Sequence, residues 1–252
     1  MSEVAEIKFM SYAESVPAAL DAAGAGEVLA RQERIMIKPN LVSASPPPVT
    51  TPAAFVEAIV IYVRDNSDAE IVIAEGTGDA MRETPDIFKA LGYAKLADKY
   101  GLELVDLNTA GTTVSKCKGC RIYPEMRLPA VAFESFIISA PVLKAHLFCK
   151  LTGTMKNMMG FLPPEHYGGG GGWKKSSFHD RLDGKIADLC RHRMPDLTVM
   201  DASLGLPRSH LSGPCCDPPV NRILAGFDAL ELDRTAAGLL GLDWRSIGHL
   251  RD

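Results

Sequence analysis

Short apolar runs recur along the chain, each ending in a polar or glycine-containing turn, and most are followed by a stretch with helical character. Polar and apolar positions do not alternate within these runs, which is typical of strands that are covered on both faces. The runs are RIMIKPNLV at 34–42, EIVIAEG at 70–76, LELVDLN at 102–108, FIISAPVLKAH within 133–146 and LTVMDAS at 197–203.

Helical patterns fill the intervals between these runs, at 16–30, 51–66, 84–101, 177–193 and 229–240. Thr51 and Thr84 each precede a proline, so we predict that their hydroxyls cap the helices that follow. Regular alternation of strand and helix predicts an α/β fold with a doubly wound, mostly parallel sheet. The length of 252 residues suits a single domain, 1–252.

Two segments depart from this alternation. Residues 109–132 predict a β-hairpin that turns at Lys118–Gly119 and forms a small antiparallel excursion from the main sheet. Residues 161–177 contain five consecutive glycines, which predict a mobile loop. Both a lid over the functional site and an ordinary surface loop fit that composition.

Charge and hydropathy exclude some classes of partner. The formal net charge is −4 and the pI about 5.9, so the chain lacks the basic surface that nucleic acid or an anionic membrane would require. No apolar run approaches the length that spans a bilayer, and the first ten residues do not resemble a secretory leader. We therefore expect a cytoplasmic protein without a membrane partner.

Two strand ends carry polar pairs that suit ligand binding. Lys38 with Asn40, and Lys144 with His146, are each spaced by two residues, so both members of a pair leave the same face of a strand. Ligands of doubly wound sheets bind beyond the carboxyl ends of the strands. A buried ammonium group needs a partner, such as a bound carboxylate or phosphate. Turn or capping roles are the alternative, although lysine is not typical of either.

The segment KLTGTMKNMMG at 150–160 follows the second pair and predicts another wall of the same crevice. Thr152 and Thr154 offer hydroxyl groups, and Lys156–Asn157 begins a stretch whose free backbone N–H groups would receive an anion. In a purely structural interpretation, Thr152 caps a helix. The methionines of this segment are assigned to the core.

Other strand ends and loops add weaker candidates. Glu75 and Asp201 are carboxylates at the ends of buried runs. Four alternative roles are open for each of them: pairing with a lysine, orienting His146, holding a metal, or capping the next turn. His166 and His179 flank the glycine run and would reach the site if that loop closed. Asp228 is predicted to be the N-cap of the last helix.

The six cysteines favour free thiols or metal binding over disulfides in a reducing compartment. Cys117-x-x-Cys120 has metal-ligand spacing, and Cys149, Cys215 and Cys216 would add thiolates for zinc or an iron-sulfur cluster. A second CxxC pair, a ferredoxin-type cysteine run, GxGxxG after the first strand and GxxxxGK[ST] are all absent from the sequence. An iron-sulfur cluster or metal is therefore only a secondary expectation for the cofactor.

Seven motifs, in this order and spacing, resemble those of the domain of unknown function 362 family: IKPNLV (37–42), TPAAFVEA (51–58), AEGTG (74–78), APVLKAH (140–146), MKNMMG (155–160), IADL (186–189) and NRILAGFDALELD (221–233). The resemblance implies a site composed of Lys38, Asn40, Glu75, Lys144, His146, Lys156 and Asn157. Some members carry an added ferredoxin-type module, which implies redox surroundings, and that module is not in this sequence. The chain departs from the family pattern at Glu231 and at Cys215–Cys216.

Three hypotheses for the function follow. In the first, an enzyme acts on a small anionic metabolite that Lys38, Lys144 and Lys156 hold, with His146 as general acid or base and the lysines available for proton transfer. In the second, the cysteines carry a metal or cluster and the chain serves a redox partner protein. In the third, the chain is a non-catalytic module that binds a small molecule.

Overall fold

A computed structural model of the chain describes residues 4–251, so positions 1–3 and 252 of the predicted domain lie outside the described residues. Its strands are β1 (Ala5–Lys8), β2 (Arg34–Pro39), β3 (Glu70–Glu75), β4 (Glu103–Asp106), β5 (Thr112–Lys116), β6 (Glu125–Pro129), β7 (Phe136–Ala140), β8 (Val142–His146), β9 (Lys150–Thr152), β10 (Leu197–Leu206) and β11 (Arg222–Gly226). Its α-helices are α1 (Tyr12–Ala22), α2 (Ala25–Leu29), α3 (Ala53–Asn66), α4 (Thr84–Ala90), α5 (Tyr93–Tyr100), α6 (Thr154–Asn157), α7 (Pro164–Tyr167), α8 (Leu182–His192) and α9 (Ala229–Leu239).

The main sheet has the strand order β1-β11-β10-β7-β2-β3-β4, and β8 pairs with both β10 and β9. Strands β2, β3, β4, β7 and β10 run parallel, whereas β11 and β1 add an antiparallel edge. Strands β5 and β6 form a separate antiparallel pair, which is the hairpin expected within 109–132. The predicted α/β fold with a mostly parallel sheet is confirmed, and the antiparallel edge is an addition that the sequence pattern did not indicate.

Apolar side chains cover both faces of the sheet, as the unalternating strands predicted. One core packs α1 to α5 against one face, and a second core packs α6, α8 and α9 against the other. Burial of the strands between two helical layers removes water from both faces, which is the main stabilising contribution in such a fold. Within residues 4–251, no helix is both long and apolar enough to cross a bilayer.

Glycines in the left-handed conformation divide two of the predicted helices. Gly24, with φ of 72°, separates α1 from α2, and Gly92, with φ of 84°, separates α4 from α5. A side chain disfavours this backbone conformation, so glycine allows the chain to change direction there. The apolar periodicity continues through both breaks, which explains why the pattern predicted one helix in each place.

The predicted threonine caps are wrong. Helix α3 has Pro52 at its N-cap, and the Thr51 hydroxyl instead donates to the Ala140 carbonyl at 2.8 Å. Helix α4 has Glu83 at its N-cap, so Thr84 is the first residue inside the helix. In both places the hydroxyl serves a tertiary contact between loops, which local sequence does not reveal.

Candidate functional site

A buried ion pair lies at the carboxyl ends of β2 and β3. Lys38 Nζ is 3.0 and 3.1 Å from the two carboxylate oxygens of Glu75, and the side chains are 0% and 3% exposed. Asn157 Oδ1 accepts a third bond from the ammonium at 3.1 Å. The backbone N–H groups of Leu41 and Gly76 donate to the carboxylate. Burial lowers the pKa of Lys38, while the charge of Glu75 opposes that shift.

Gly160 lies against this ion pair and closes it from one side. A Cβ at this position would overlap Glu75 Oε1 and would lie 2.5 Å from Lys38 Nζ. No side chain fits there without displacing two buried charged groups. The glycine of the MKNMMG motif therefore permits the close approach of the 3-10 turn after α6 to the strand ends.

The second strand-end pair joins the first through Asn40. Lys144 Nζ donates to Asn40 Oδ1 at 2.7 Å and to the Val49 carbonyl at 2.5 Å. Asn40 Nδ2 lies 3.5 Å from Asn157 Oδ1. Burial lowers the pKa of Lys144 well below its ordinary value, and the positive charge of Lys156 adds to that shift. The two predicted pairs thus meet at one edge of the sheet.

A cavity of about 440 Å³ opens beside this network. Six of the predicted residues line it: Asn40, Glu75, His146, Lys156, Asn157 and His179. The other predicted strand-end and loop residues do not line it: Lys38, Lys144, Thr152, Thr154, His166 and Asp201. The ammonium groups of Lys38 and Lys144 are instead used in the bonds described above, so both lysines support the wall of the cavity from behind.

The backbone N–H groups of the two residues before Lys156 are occupied. The Asp233 carboxylate accepts from Thr154 N at 2.7 Å and from Met155 N at 2.9 Å, and it thereby satisfies the first turn of α6. An internal carboxylate therefore fills the position that an anion would take at the start of α6, and Asn157 N donates to the Gly153 carbonyl at 3.0 Å, while anion binding by the rest of the stretch from Lys156 stays a prediction. Thr152 is also not a cap, since Gly153 holds the N-cap position.

Asp201 lies away from the cavity and contacts other partners. Its carboxylate accepts from the Tyr12 hydroxyl at 2.8 Å and from Ser203 N at 2.9 Å. Burial raises the pKa of Asp201. Asp201 therefore does not orient His146.

Backbone groups fix the orientation of His146 and the position of its proton. Phe148 N and Cys149 N point at His146 Nδ1, at 3.2 and 3.3 Å. Because both donors are N–H groups, Nδ1 is the acceptor and the proton of the neutral ring is on Nε2. Burial, with a smaller contribution from the charge of Lys156, lowers the pKa of His146 to about 2. The ring is neutral near pH 7 and retains Nε2–H as a donor.

His179 has the opposite arrangement. Its Nδ1 lies 3.2 Å from the Lys175 carbonyl, which only accepts, so Nδ1 carries the proton. Nε2 is left with a free lone pair. Burial lowers the pKa of His179, and the positive charge of Lys156 acts in the same direction. His179 lines the cavity, whereas His166 at the other end of the glycine run does not.

His210 is a lining residue that the sequence analysis missed. Its ring stacks on His146 with centroids 3.9 Å apart and planes inclined by 29°. Its Nδ1 is buried and has no hydrogen-bond partner among residues 4–251. Burial lowers the pKa of His210 to about 3. The residue follows β10 in a stretch without helix or strand periodicity, so no pattern singled it out.

Lys156 differs from the other buried lysines of the site. Among the residues that the structure describes, no group accepts a hydrogen bond from its ammonium and no carboxylate forms an ion pair with it. The side chain is partly buried and lines the cavity, and burial lowers its pKa. A positive charge facing the cavity without an internal partner is suited to bind an anion.

The second half of the glycine-rich segment docks onto the site. Lys175 Nζ donates to the carbonyls of Gly76, Met159 and Gly160, at 2.7, 3.1 and 2.9 Å. Burial lowers the pKa of Lys175 to about 7. The Trp173 side chain contributes to the wall of the cavity. That this segment is mobile and acts as a lid stays a prediction.

Apolar side chains form the remaining wall and the mouth of the cavity. Val42, Trp173 and Leu211 line it, together with Leu147 and Phe148. Leu147 is 69% exposed and Phe148 is 72% exposed, although both are large and apolar. A cavity lined by cationic and imidazole groups together with apolar side chains suits a small organic anion.

The cysteines divide into separate groups, and none forms a disulfide. Sγ of Cys117, Sγ of Cys120 and a ring nitrogen of His192 all lie within 4.8 Å of one another. Cys149, Cys215 and Cys216 belong to no cluster of metal-ligating side chains within residues 4–251. The predicted CxxC pair is thus brought together with a histidine, while the other four cysteines, Cys190 included, are not.

Comparison with known proteins identifies the family and a similar fold. The family model of the domain of unknown function DUF362 matches residues 35–238, and the chain belongs to this family. No curated protein matches its sequence. A solved structure of the lactate racemase apoprotein from Thermoanaerobacterium thermosaccharolyticum is similar, with a TM-score of 0.57 and 13% sequence identity. The match covers 95% of this chain and 56% of that protein, so the likeness concerns the fold of about half of the racemase.

Proposed function

We propose that this member of the family binds a small organic anion in the cavity and transfers a proton to and from it. Lys156 carries the proposal, because its ammonium faces the cavity and has no partner in the described part of the chain. A carboxylate would supply the missing charge, and the apolar wall would receive the rest of the molecule. Asn40 lines the cavity, and its amide nitrogen has only a long contact of 3.5 Å with Asn157 Oδ1, so it would orient the ligand.

The two histidine tautomers support proton transfer as the reaction class. His179 Nε2 would accept a proton from the carbon next to the bound carboxylate, so that the C–H bond breaks and an N–H bond forms. The electron pair moves onto the carboxylate oxygen, where His146 Nε2–H and the Lys156 ammonium donate hydrogen bonds. Return of the proton to the same carbon completes the cycle and regenerates neutral His179.

The racemase of similar fold acts on lactate, a small carboxylate, and this supports 2-hydroxy carboxylates, which carry a hydrogen on the carbon next to the carboxylate, as the first compounds to test. Their size is compatible with a cavity of about 440 Å³. Phosphates of similar size belong in the same panel, because an ammonium and N–H donors bind either anion.

Ligand-induced thermal stabilisation tests binding. A ligand at about 100 times its dissociation constant adds about 2.7 kcal/mol to stability, which is readily measured as an increase in melting temperature. Lys156→Met should abolish the increase. Lys95→Met is the matched control, because Lys95 is exposed on α5, far along the chain from the lining residues. If no anion of the panel raises the melting temperature, or if Lys156→Met responds like the wild type, anion binding is refuted.

Deuterium incorporation tests the chemistry separately. Each stabilising carboxylate is incubated with the protein in D2O, and loss of the signal of the hydrogen next to the carboxylate is followed by proton NMR. His179→Gln should retain binding and lose exchange, while His166→Gln, outside the cavity, should retain both. Binding without exchange in the wild type would refute proton transfer and leave the non-catalytic binding module.

A further inference from the structure

The tip of the β5–β6 hairpin meets the last turn of α8, and this contact contains three metal-ligating side chains. Cys117 directly follows β5, and the backbone turns so that Cys120 N donates to the Cys117 carbonyl at 3.3 Å. The two Sγ atoms and a ring nitrogen of His192 lie within 4.8 Å of one another. In a tetrahedral zinc site, sulfur and nitrogen ligands are about 3.5–3.8 Å apart, so a contraction of about 1 Å suffices.

Hydrogen bonds to His192 leave one ring nitrogen without a proton, as metal binding requires. His192 Nε2 is 2.7 Å from the Tyr123 carbonyl, which only accepts, so Nε2 carries the proton. Nδ1 then holds the lone pair and accepts from the Ser115 hydroxyl at 2.8 Å. Metal-bound histidines in proteins commonly donate their second N–H to a carbonyl in this way.

The loop that carries both cysteines is held in place without a metal. The Asp188 carboxylate, on α8, accepts from the backbone N–H groups of Arg121, Ile122 and Tyr123 at 3.1, 2.6 and 2.8 Å. These bonds fix the backbone that follows Cys120. A site that is already ordered loses less conformational entropy when the ion binds.

The thiols are free and suited to act as ligands. Neither cysteine is in a disulfide; Cys117 is partly exposed and Cys120 is buried. The thiolate is the form that binds metals, and zinc binding removes the proton from a coordinating thiol. Zinc favours thiolate and imidazole together, and three protein ligands leave a fourth position for water or an external ligand.

From this geometry we propose that Cys117, Cys120 and His192 bind one zinc ion, which ties the hairpin to α8. A two-stranded hairpin is marginally stable alone, and this one pairs with no strand of the main sheet. The ion would join the hairpin tip to a helix of the second core. This role is independent of the cavity, whose lining does not include these residues.

Metal titration of the reduced, metal-free full chain tests the site. Co²⁺ should give the absorption of thiolate-bound tetrahedral cobalt, and Zn²⁺ should remove it at one equivalent. Zinc affinity is measured in competition with a chelator, and it should fall by more than about 100-fold in Cys117→Ser, Cys120→Ser and His192→Gln. Removal of a residue that only hydrogen-bonds to a ligand typically lowers metal affinity by about 10- to 100-fold, so a larger loss identifies the ligands themselves. The control Cys215→Ser/Cys216→Ser, which also removes two thiols, should bind zinc as the wild type does.

Thiol alkylation of the wild type gives a second measurement that does not depend on folding of the variants. Zinc should slow the alkylation of Cys117 and Cys120, located by peptide mass spectrometry, and leave Cys215 and Cys216 unchanged. Failure of the reduced wild type to bind either metal overturns the proposal. Equal protection of all four thiols overturns it as well. The proposal also fails if Cys117 and Cys120 are recovered as a disulfide and the protein does not bind zinc after that disulfide is reduced.

Discussion

Removal of the Lys38 ammonium is the sharpest test of how the site is built. In Lys38→Met the side chain keeps most of its volume, but the Glu75 carboxylate, 3% exposed, loses its cation. Breaking a buried ion pair in this way typically costs about 3–5 kcal/mol, because one charge remains buried without compensation. The two backbone N–H groups that still donate to the carboxylate place the expected loss nearer the lower value.

Urea unfolding at neutral pH measures the loss, provided that the transition is reversible and two-state. The double variant Lys38→Met/Glu75→Gln removes the charge from both members of the ion pair, while the amide oxygen of the glutamine still accepts hydrogen bonds from backbone N–H groups. The double variant should therefore lose less stability than the sum of the single variants, by about 1–3 kcal/mol.

An exposed ion pair provides the control. Lys99 Nζ is 2.6 Å from Glu57 Oε1, yet the Lys99 side chain is 63% exposed. Lys99→Met should change the free energy of unfolding little, because water screens the pair. If Lys38→Met costs as little as Lys99→Met, or if the two changes at the buried ion pair are additive, then the pair does not hold the strand ends as described.

Three further predictions concern the residues around the cavity. The folded pKa of His146, about 2, lies below its ordinary value of 6.5, so the unfolded chain binds the proton more tightly and stability falls as the pH drops below about 6.5. In urea unfolding, His146→Gln should reduce the difference in stability between about pH 7.5 and about pH 5.5 by about 1.4 kcal/mol. An unchanged difference, or the same reduction in the control His166→Gln, would count against a buried neutral ring at His146. Gly160→Ala should lower the melting temperature sharply, because the added Cβ overlaps the buried ion pair of Lys38 and Glu75. Gly172→Ala should not, because the space around Gly172 is open. Similar melting temperatures of the two variants would contradict the close approach of Gly160 to the ion pair. Asp233→Ala should cost about 1–2 kcal/mol in urea unfolding by loss of the α6 cap, and Asp233→Asn should retain more of that stability, so an equal loss would argue against capping.

The general position of the site was predictable from sequence, because it follows from the strand ends. Continuous apolar runs identified β2 and β8, and the two-residue spacing placed Lys38 with Asn40 and Lys144 with His146 on shared faces. In a parallel sheet the carboxyl ends of the strands lie at one edge, and the two pairs meet there through the bond from Lys144 to Asn40.

Which lysine faces the cavity was not predictable. Lys38, Lys144 and Lys156 all belong to motifs of similar composition, and only tertiary contacts distinguish them. Apart from the adjacent Pro39 carbonyl, the partners of Lys38 and Lys144 come from other strands, helices and loops, at sequence separations of 37 to 119 residues, and no local pattern encodes such pairings. The cap on α6 was missed for the same reason, since it is supplied by Asp233 from α9.

Residues in irregular segments were equally inaccessible from periodicity. His210 follows a strand in a stretch rich in turns, and His192, at the end of α8, lies far along the sequence from Cys117 and Cys120. The CxxC spacing identified two members of a three-ligand cluster, while the third required the hairpin to be placed against the helix. Sequence motifs locate ligands of a metal site only when the spacing itself brings them together.

Main-chain atoms, rather than exchangeable side chains, determine which nitrogen of His146 and of His179 bears hydrogen. Substitutions at Trp173, Phe148 or Val42 can therefore change the shape of the cavity, and with it the ligands that fit, without changing which histidine nitrogen donates and which accepts. Among related proteins, the preferred ligand would then be able to change through the side chains of the cavity, while the positions of the histidine protons would be retained as long as the backbone is.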